Sequence, residues 1–248
     1  EEKRTLRQRK DFPLNALGSG SDYTAFLDFL TVASLNMDFG GDGGGGVYHS
    51  TYDSFYWYTH FSDTDFSFGA ALSRTMGTAI LRLADADVLP FEFTATADAL
   101  REYVGEIDKL RGESSAAPSL DLTPVRKAVD RLEKAAEGYN AAQTRLLTAD
   151  KPSAGKELAE LNRLLYTSER TFKYEPGLPR REWFKHLVYA PGFYTGYGVK
   201  TLPGIREAIE QKQWDEARTY IPIVATAIGA LADQVEKATA AADAITRP

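Results

Sequence analysis

Three stretches in the second half of the chain carry apolar residues three and four positions apart, with polar residues between them. This spacing places the apolar side chains on one face of an α-helix. Several such helices joined by connections are typical of a helical bundle. The apolar positions are Leu122, Val125, Val129, Leu132, Ala136, Tyr139 and Leu146 in the first stripe, Leu158, Leu161 and Leu165 in the second, and Tyr220, Val224, Ile228, Leu231, Val235, Ala242 and Ile245 in the third.

Polar residues predict where two of the helices begin. Thr123 is followed by Pro124, which predicts a helix start with Thr123 as the cap. Asp63 is expected to cap a helix that continues to Leu83 and ends before Pro90, because proline disrupts a helix.

The first part of the chain, to about Phe93, has a different pattern, rich in glycine and aromatic residues. Ser21 and Asp22 are expected to cap a short helix that buries Phe26, Leu27, Phe29 and Leu30. The β-branched and apolar residues 31–39 predict a strand. The run GGDGGGG at residues 40–46 predicts a loop, because each glycine loses much backbone entropy on folding.

The two patterns together predict an α+β protein that is mainly α. We expect a partial α/β domain over residues 1–93 and a helical bundle over residues 94–248. The chain has 248 residues, 43% of them hydrophobic, which suffices for a real core. Its net charge of -6 argues against nucleic acid as a partner. The sequence contains no run of about 20 apolar residues, so no membrane-spanning segment is predicted. The absence of cysteine excludes disulfides and Cys-type zinc sites.

Histidine is the residue type here best suited to proton transfer or metal binding near neutral pH. The three histidines share no metal-ligand spacing, and no other local group provides a zinc site. His49 is the best candidate because it follows the glycine-rich run and adjoins Tyr48; the alternative is a loop histidine bonded to backbone. His60 and His186 are interpreted as structural.

Five short strings, in this order and spacing, resemble the glutamate carboxypeptidase and transferrin-receptor family. They are LGSGSD at residues 17–22, VYHSTYD at 47–53, VLPF at 88–91, YAP at 189–191 and LPGI at 202–205. The resemblance extends roughly from Asp11 to Ile245. It implies that residues 1–93 end a binuclear zinc peptidase domain and that residues 94–248 form the family's helical dimerisation domain.

The resemblance also implies roles for individual residues. His49 matches the family's last zinc ligand, and Tyr48 matches a tyrosine that contacts substrate. The other ligands of the two zinc ions and the general base correspond to positions before residue 1, so this chain alone is expected to be inactive and to hold zinc weakly. A homodimer is expected, with Leu231 and Val235 near its interface.

The peptide-binding residues match the family only in part. Gly20 and Ser21 lie in the substrate loop, where Ser21 replaces an asparagine. Tyr197 matches a tyrosine that binds the terminal carboxylate, but Gly196 replaces the neighbouring lysine.

Asn36 and Asp38 stand where glutamate-selective members have two arginines. We therefore expect neutral or basic side chains to be preferred over acidic ones. The transferrin receptor has lost its zinc ligands, so a non-catalytic interaction module is the alternative function. The compartment is left open, an exported parent protein being one option.

Overall fold

The computed structural model describes residues 15–40, 47–112, 119–149 and 155–246. The loop expected over residues 40–46 lies, apart from Gly40, outside the described residues. The described chain divides into two compact units. One contains the residues up to Ser34 together with those from Phe91 onward, which we call the helical unit; the other, Leu35–Pro90, we call the aromatic unit. The domain boundary expected between residues 93 and 94 stays a prediction.

The described residues are mainly helical, with one small sheet. In chain order the α-helices are α1 (Phe55–Trp57), α2 (Ser67–Ala84), α3 (Thr94–Gly112), α4 (Thr123–Thr148), α5 (Lys156–Tyr166), α6 (Pro203–Glu210) and α7 (Trp214–Thr246). Shorter π-helical and 3-10 segments are Ala25–Phe29, Tyr58–Ser62 and Ser168–Phe172. In the part of the chain that the structure describes, no helix is long and apolar enough to cross a bilayer.

The predicted stripes form the core of the helical unit. Every residue of the first and third stripes is buried, and α4 and α7 make the largest contact between elements. Helices α3, α5 and α6 pack around this pair. The bundle prediction is therefore confirmed for these helices.

This burial corrects the expected dimer interface. Leu231 and Val235 are 2% and 1% exposed, so they face the core of their own chain. A partner subunit cannot contact them without opening the bundle. Any interface must use another face of the helices.

A two-stranded antiparallel sheet interrupts the irregular stretch between α5 and α6. Strand β1 (Tyr189–Pro191) pairs with β2 (Val199–Thr201), with Ala190 opposite Lys200. The hairpin turn between the strands carries Tyr197, one of the predicted substrate residues.

The aromatic unit is built differently, because none of the 18 residues of α2 is buried. The helix begins at Ser67, and the Asp63 carboxylate caps its first turn as expected, accepting hydrogen bonds from the backbone N–H groups of Phe68 at 3.1 Å and Gly69 at 2.7 Å. The helix ends at Ala84, six residues before Pro90.

Three local expectations are wrong. Residues 31–40 form no regular secondary structure, and Leu35 and Phe39 are more than half exposed, so no strand forms there. A strand needs a second strand to pair its backbone N–H and C=O groups, and no strand among the described residues pairs with this segment.

The short helix is a π-helical segment in which Ser21 contributes its backbone carbonyl, not a side-chain cap. Only Leu27 of its four apolar residues is buried, and Phe26 is 53% exposed. At α4, the carboxylate of Asp121 accepts the N–H of Thr123, so Thr123 is not the cap.

Candidate functional site

The predicted substrate loop packs closely against the β1–β2 hairpin. Gly18 is buried, and a Cβ there would lie 2.7 Å from the carbonyl oxygen of Tyr197 and 3.0 Å from Cα of Val199. Gly20 has a φ of +98°, and a Cβ there would lie 3.3 Å from the Tyr197 ring. Glycine is therefore required at residue 18 by close approach and favoured at residue 20 by backbone conformation. The structure brings Gly20 and Tyr197 together.

Hydrogen bonds within the loop define its shape. The backbone carbonyl of Ser21 accepts from the N–H and the hydroxyl of Thr24, at 3.1 and 2.8 Å. The phenol of Tyr23 donates to the carbonyl of Ser19 at 3.1 Å. The Ser21 side chain is exposed and is left available to a ligand.

The turn that carries Tyr197 is closed by its own hydrogen bonds. The N–H of Gly192 donates to the carbonyl of Gly198 at 2.7 Å, and the Thr195 hydroxyl donates to the same carbonyl at 2.8 Å. Gly196 has a φ of +59°, a left-handed conformation that lysine adopts only with strain. The Tyr197 ring is 63% exposed beside the substrate loop.

A buried ion pair is hydrogen-bonded to the backbone of the hairpin. The Arg181 guanidinium contacts the Glu207 carboxylate and donates to the carbonyl of Pro191. The same carboxylate accepts the N–H of Phe193 at 2.5 Å. The start of the turn, at Pro191 and Phe193, is thus held by side chains that are 12% exposed or less.

Asp28 connects the segment after the substrate loop to the same region. Its backbone carbonyl accepts the N–H groups of Lys185 at 2.7 Å and His186 at 3.1 Å. Its carboxylate is fully buried and has no hydrogen-bond partner among the residues that the structure describes. Burial raises the pKa of Asp28 to about 7, and the positive charge of Arg181 offsets part of that rise.

Sequence patterns did not identify Asp28, Arg181 or Glu207. These residues are far apart along the chain, and charged residues at such positions are more often solvated. Only the fold brings them to the hairpin.

The cations near the hairpin are already engaged in ion pairs. Lys200 pairs with Glu210 at 2.7 Å, and Arg180 pairs with Glu216 at 2.7 Å. A ligand carboxylate at Tyr197 would have to compete with these internal partners for either cation.

Tyr48 and His49 lie in the aromatic unit. Both side chains are exposed, and their rings stack with centroids 3.8 Å apart. His49 has a φ of +61°, which is uncommon for a residue with a side chain and costs backbone strain. The N–H of Ser50 closes this turn on the carbonyl of Val47 at 3.0 Å.

The other two histidines have local partners. His186 is fully buried: its Nδ1 accepts the N–H groups of Val188 and Tyr189, and its Nε2 lies 2.9 Å from the Glu169 carboxylate. In the aromatic unit, Nδ1 of His60 lies 2.8 Å from the carbonyl of Tyr56. These contacts fit the structural roles expected of both.

Whether this chain can bind zinc depends on how many possible ligand side chains lie close together. Among residues 15–40, 47–112, 119–149 and 155–246, no three His, Asp or Glu side chains lie close enough together to hold a metal ion. His49 offers one exposed imidazole, whereas a zinc site needs about three protein ligands. The described residues alone therefore do not fit a zinc centre.

Comparison with known proteins assigns residues 120–236 of the helical unit. Residues 120–236, which include α4 and most of α7, match the model of the Transferrin receptor-like dimerisation domain. The chain carries this dimerisation domain. It is also a distant homologue of the glutamate carboxypeptidase and NAALADL proteins over most of its length.

The relatives extend the similarity beyond the dimerisation domain. The probable glutamate carboxypeptidase LAMP1 of Arabidopsis thaliana is 32% identical over 218 residues, which cover 85% of this chain and 30% of that protein. Aminopeptidase NAALADL1 of Mus musculus is 29% identical over 230 residues, covering 87% of this chain and 30% of that protein.

An inactive zinc metalloprotease of Schizosaccharomyces pombe is 24% identical over 219 residues, covering 84% of this chain and 27% of that protein. The chain thus spans about 30% of the length of the curated relatives it matches.

Proposed function

We propose that this chain is the carboxy-terminal part of a zinc exopeptidase, supplying one zinc ligand, part of the substrate pocket and the dimer interface. His49 is the ligand, Tyr48 contacts substrate, and Gly20, Ser21 and Tyr197 form part of the pocket wall. The remaining ligands of two zinc ions and the general base come from preceding polypeptide. Zinc would supply the activation of water for attack on the peptide bond.

The conformation of the Tyr48-His49 turn carries this proposal. An imidazole that is exposed, held in a strained backbone conformation and stacked on a tyrosine suits a ligand-presenting turn. Two relatives named as peptidases match 85% or more of this chain.

The exposed apolar surface of the aromatic unit also supports the proposal. Large apolar side chains that are more than half exposed include Tyr48, Tyr52, Phe55, Tyr56, Phe61, Phe68, Ile80 and Leu81. Soluble proteins rarely leave so much apolar surface together in water. We infer that preceding polypeptide of a longer protein covers it.

The test uses a longer natural protein that contains this chain. His49→Ala should lower peptidase turnover by at least about 100-fold, since loss of a ligand perturbs the metal more than loss of a residue behind it. Zinc content should fall with activity while the circular dichroism spectrum is unchanged. The matched control is His60→Ala in the same unit, which should retain both zinc and turnover. Near-normal turnover of His49→Ala would remove the ligand assignment.

The second candidate is a non-catalytic interaction module, which the relative named as an inactive zinc metalloprotease favours. Zinc content of the longer protein separates the two. About two zinc ions per chain, reduced in His49→Ala, supports the peptidase; no bound zinc after purification in zinc-containing buffer supports the interaction module.

Assembly as a homodimer belongs to both candidates, because the dimerisation domain is present in either case. Light scattering on this chain at micromolar concentration should give twice the 27.4 kDa mass of one copy. A monomer across that range would contradict the homodimer.

A further inference from the structure

Two charged side chains in the interior of the helical unit carry polar atoms without hydrogen-bond partners. These atoms are both carboxylate oxygens of Asp28 and Nε of Arg181, and within residues 15–40, 47–112, 119–149 and 155–246 none of the three has a partner. Asp28 is 0% exposed, and the Arg181 side chain is 12% exposed. Burial of an acceptor or donor without a partner lowers stability. The fold retains this cost at two groups of opposite charge.

The two groups interact through their charges. Burial raises the pKa of Asp28, and the positive charge of Arg181 offsets part of that rise. Burial lowers the pKa of Arg181, and the negative charges of Glu207 and Asp28 oppose that fall. Charges attract each other more strongly in a protein interior than in water, because the effective dielectric constant is lower. Glu207 thus contacts Arg181 directly, whereas Asp28 acts on it by charge.

The position of the Asp28 carboxylate is fixed by main-chain bonds. The carbonyl of Asp28 accepts the N–H groups of Lys185 and His186, in the same segment that carries Arg181. Asp28 itself follows the substrate loop, whose Gly20 packs against the ring of Tyr197. Asp28 therefore connects the substrate loop to the segment that supports the hairpin.

Arg181 transmits any force on its guanidinium to the hairpin turn. The guanidinium lies over the rings of Phe184 and Phe193, with Cζ 5.4 and 5.3 Å from their centroids. It also donates to the carbonyl of Pro191, the last residue of β1. A displacement of the guanidinium would thus displace the start of the turn that carries Tyr197.

The alternative is that Asp28 is only a buried acid that the fold tolerates. Replacing a buried polar group by an apolar one of similar shape is often neutral or stabilising. Arg181 would still have Glu207 as its ion-pair partner. Under this alternative, an uncharged side chain at residue 28 would leave the hairpin unchanged. The two interpretations therefore differ in the behaviour of the hairpin, and stability alone does not separate them.

We propose that Asp28 is a positioning residue of the substrate pocket, because its carboxylate holds the Arg181 guanidinium by charge and Arg181 holds the turn that carries Tyr197. This inference rests on the proposed function, in which Tyr197 forms part of the pocket wall. Asp28 itself does not touch substrate. Its loss should therefore weaken substrate binding and leave the chemical step unchanged.

The first experiment measures amide hydrogen exchange in this chain at about pH 8, where a carboxyl with a pKa of about 7 is mostly ionised. Asp28→Asn removes the charge at nearly constant size, and Asp28→Leu removes the polar atoms as well. The amides of Gly192 and Phe193 donate to the Gly198 carbonyl and the Glu207 carboxylate. They should exchange at least about tenfold faster in both variants, whereas amides of α4 and α7 should not.

The control is Asp108→Asn, which removes a partly buried carboxylate that pairs with Arg126 of α4. It should leave exchange in the hairpin unchanged. Unchanged exchange of Gly192 and Phe193 in both Asp28 variants would overturn the proposal. Faster exchange throughout the hairpin, α4 and α7 would show that Asp28 supports the whole fold, which would overturn it as well.

The second experiment measures peptide hydrolysis by a longer natural protein that contains this chain. Asp28→Asn should raise KM at least about tenfold and change kcat by less than about threefold. Arg181→Lys retains a positive charge opposite Glu207 but lacks the planar guanidinium, so it should raise KM in the same way. Asp108→Asn should change neither constant.

The kinetic outcomes separate this role from the proposed function. A wild-type longer protein that does not hydrolyse peptides would overturn both. Wild-type turnover together with an unchanged KM in Asp28→Asn would overturn the positioning role and leave the proposed function standing. A fall in kcat at constant KM would also overturn the positioning role, because it would place the effect of Asp28 on the chemical step.

Discussion

The helical unit and the aromatic unit use their apolar residues in opposite ways. In the first, the stripes of α4 and α7 are buried against each other. In the second, α2 buries none of its residues although it is 18 residues long. The difference teaches that the helical unit has its own core, whereas the aromatic unit has an apolar surface that fits a covering partner.

The largest expected effect is a difference between the two units in the unfolding free energy lost when a leucine is replaced by alanine. Leu132→Ala in α4 removes a side chain that is 0% exposed, and it should cost about 2–5 kcal/mol of unfolding free energy. Leu81→Ala in α2, where the side chain is 62% exposed, should change it by less than about 0.5 kcal/mol. Urea denaturation followed by circular dichroism measures both. Equal losses would show that α2 has a packed core like that of α4.

The next effect lies within the helical unit and depends on pH. Because burial raises the pKa of Asp28 from 3.8 to about 7, its neutral form is favoured in the folded state. The contribution of neutral Asp28 to the free energy of unfolding is fully present below the pKa of this residue in the unfolded chain, and it is lost as pH rises through about 7. The free energy of unfolding of the wild-type protein should therefore fall between about pH 6 and pH 8 by on the order of 1 kcal/mol or more. This fall should be absent from the Asp28→Asn variant.

Urea denaturation at about pH 6, 7 and 8 gives this difference. The control is Asp38→Asn, an exposed carboxylate of the aromatic unit, which should leave the wild-type slope unchanged. An identical slope in wild type and Asp28→Asn would mean that the Asp28 carboxyl does not titrate in this range.

An effect of comparable size tests the contact between the substrate loop and the hairpin. Gly18→Ala would place Cβ 2.7 Å from the Tyr197 carbonyl and should cost about 1–3 kcal/mol. Gly138→Ala meets no neighbour and should stabilise α4 by up to about 1 kcal/mol. Thermal denaturation measures both changes: the melting temperature should fall in Gly18→Ala and rise in Gly138→Ala. An unchanged melting temperature in Gly18→Ala would show that the loop is not tightly packed.

The smallest expected effect concerns selectivity in a longer protein with peptidase activity. Neutral and basic side chains should be preferred over acidic ones, because the exposed carboxylate of Asp38 stands where glutamate-selective members of the family have an arginine. Asp38→Arg should raise the relative kcat/KM for acidic peptides about tenfold, which is about 1.4 kcal/mol of transition-state binding. A wild-type preference for acidic peptides would contradict the expectation.

The sequence predicted the bundle because apolar residues that recur with the helical period form one continuous stripe, and such a stripe has to be buried against another element. It did not predict the absence of a strand at residues 31–39, because a β-branched segment forms a strand only when another strand is present to pair with it. Gly20 and Tyr197 were predicted separately, and their contact needed the fold. Asp28 gave no sequence signal, because nothing local distinguishes a buried carboxylate from a solvated one.

The carbonyl of Asp28 has a consequence for how such proteins diverge. It binds the N–H groups of Lys185 and His186, so the segment that begins with the substrate loop is fastened to the bundle by main-chain bonds. An exchange between relatives that transplanted residues 94–248 alone would leave those two amides without this acceptor. Residues 94–248 therefore cannot be moved to another protein without losing two main-chain hydrogen bonds. A relative that assembles through its helices therefore has reason to keep the backbone at residue 28 in place, whatever side chain stands there.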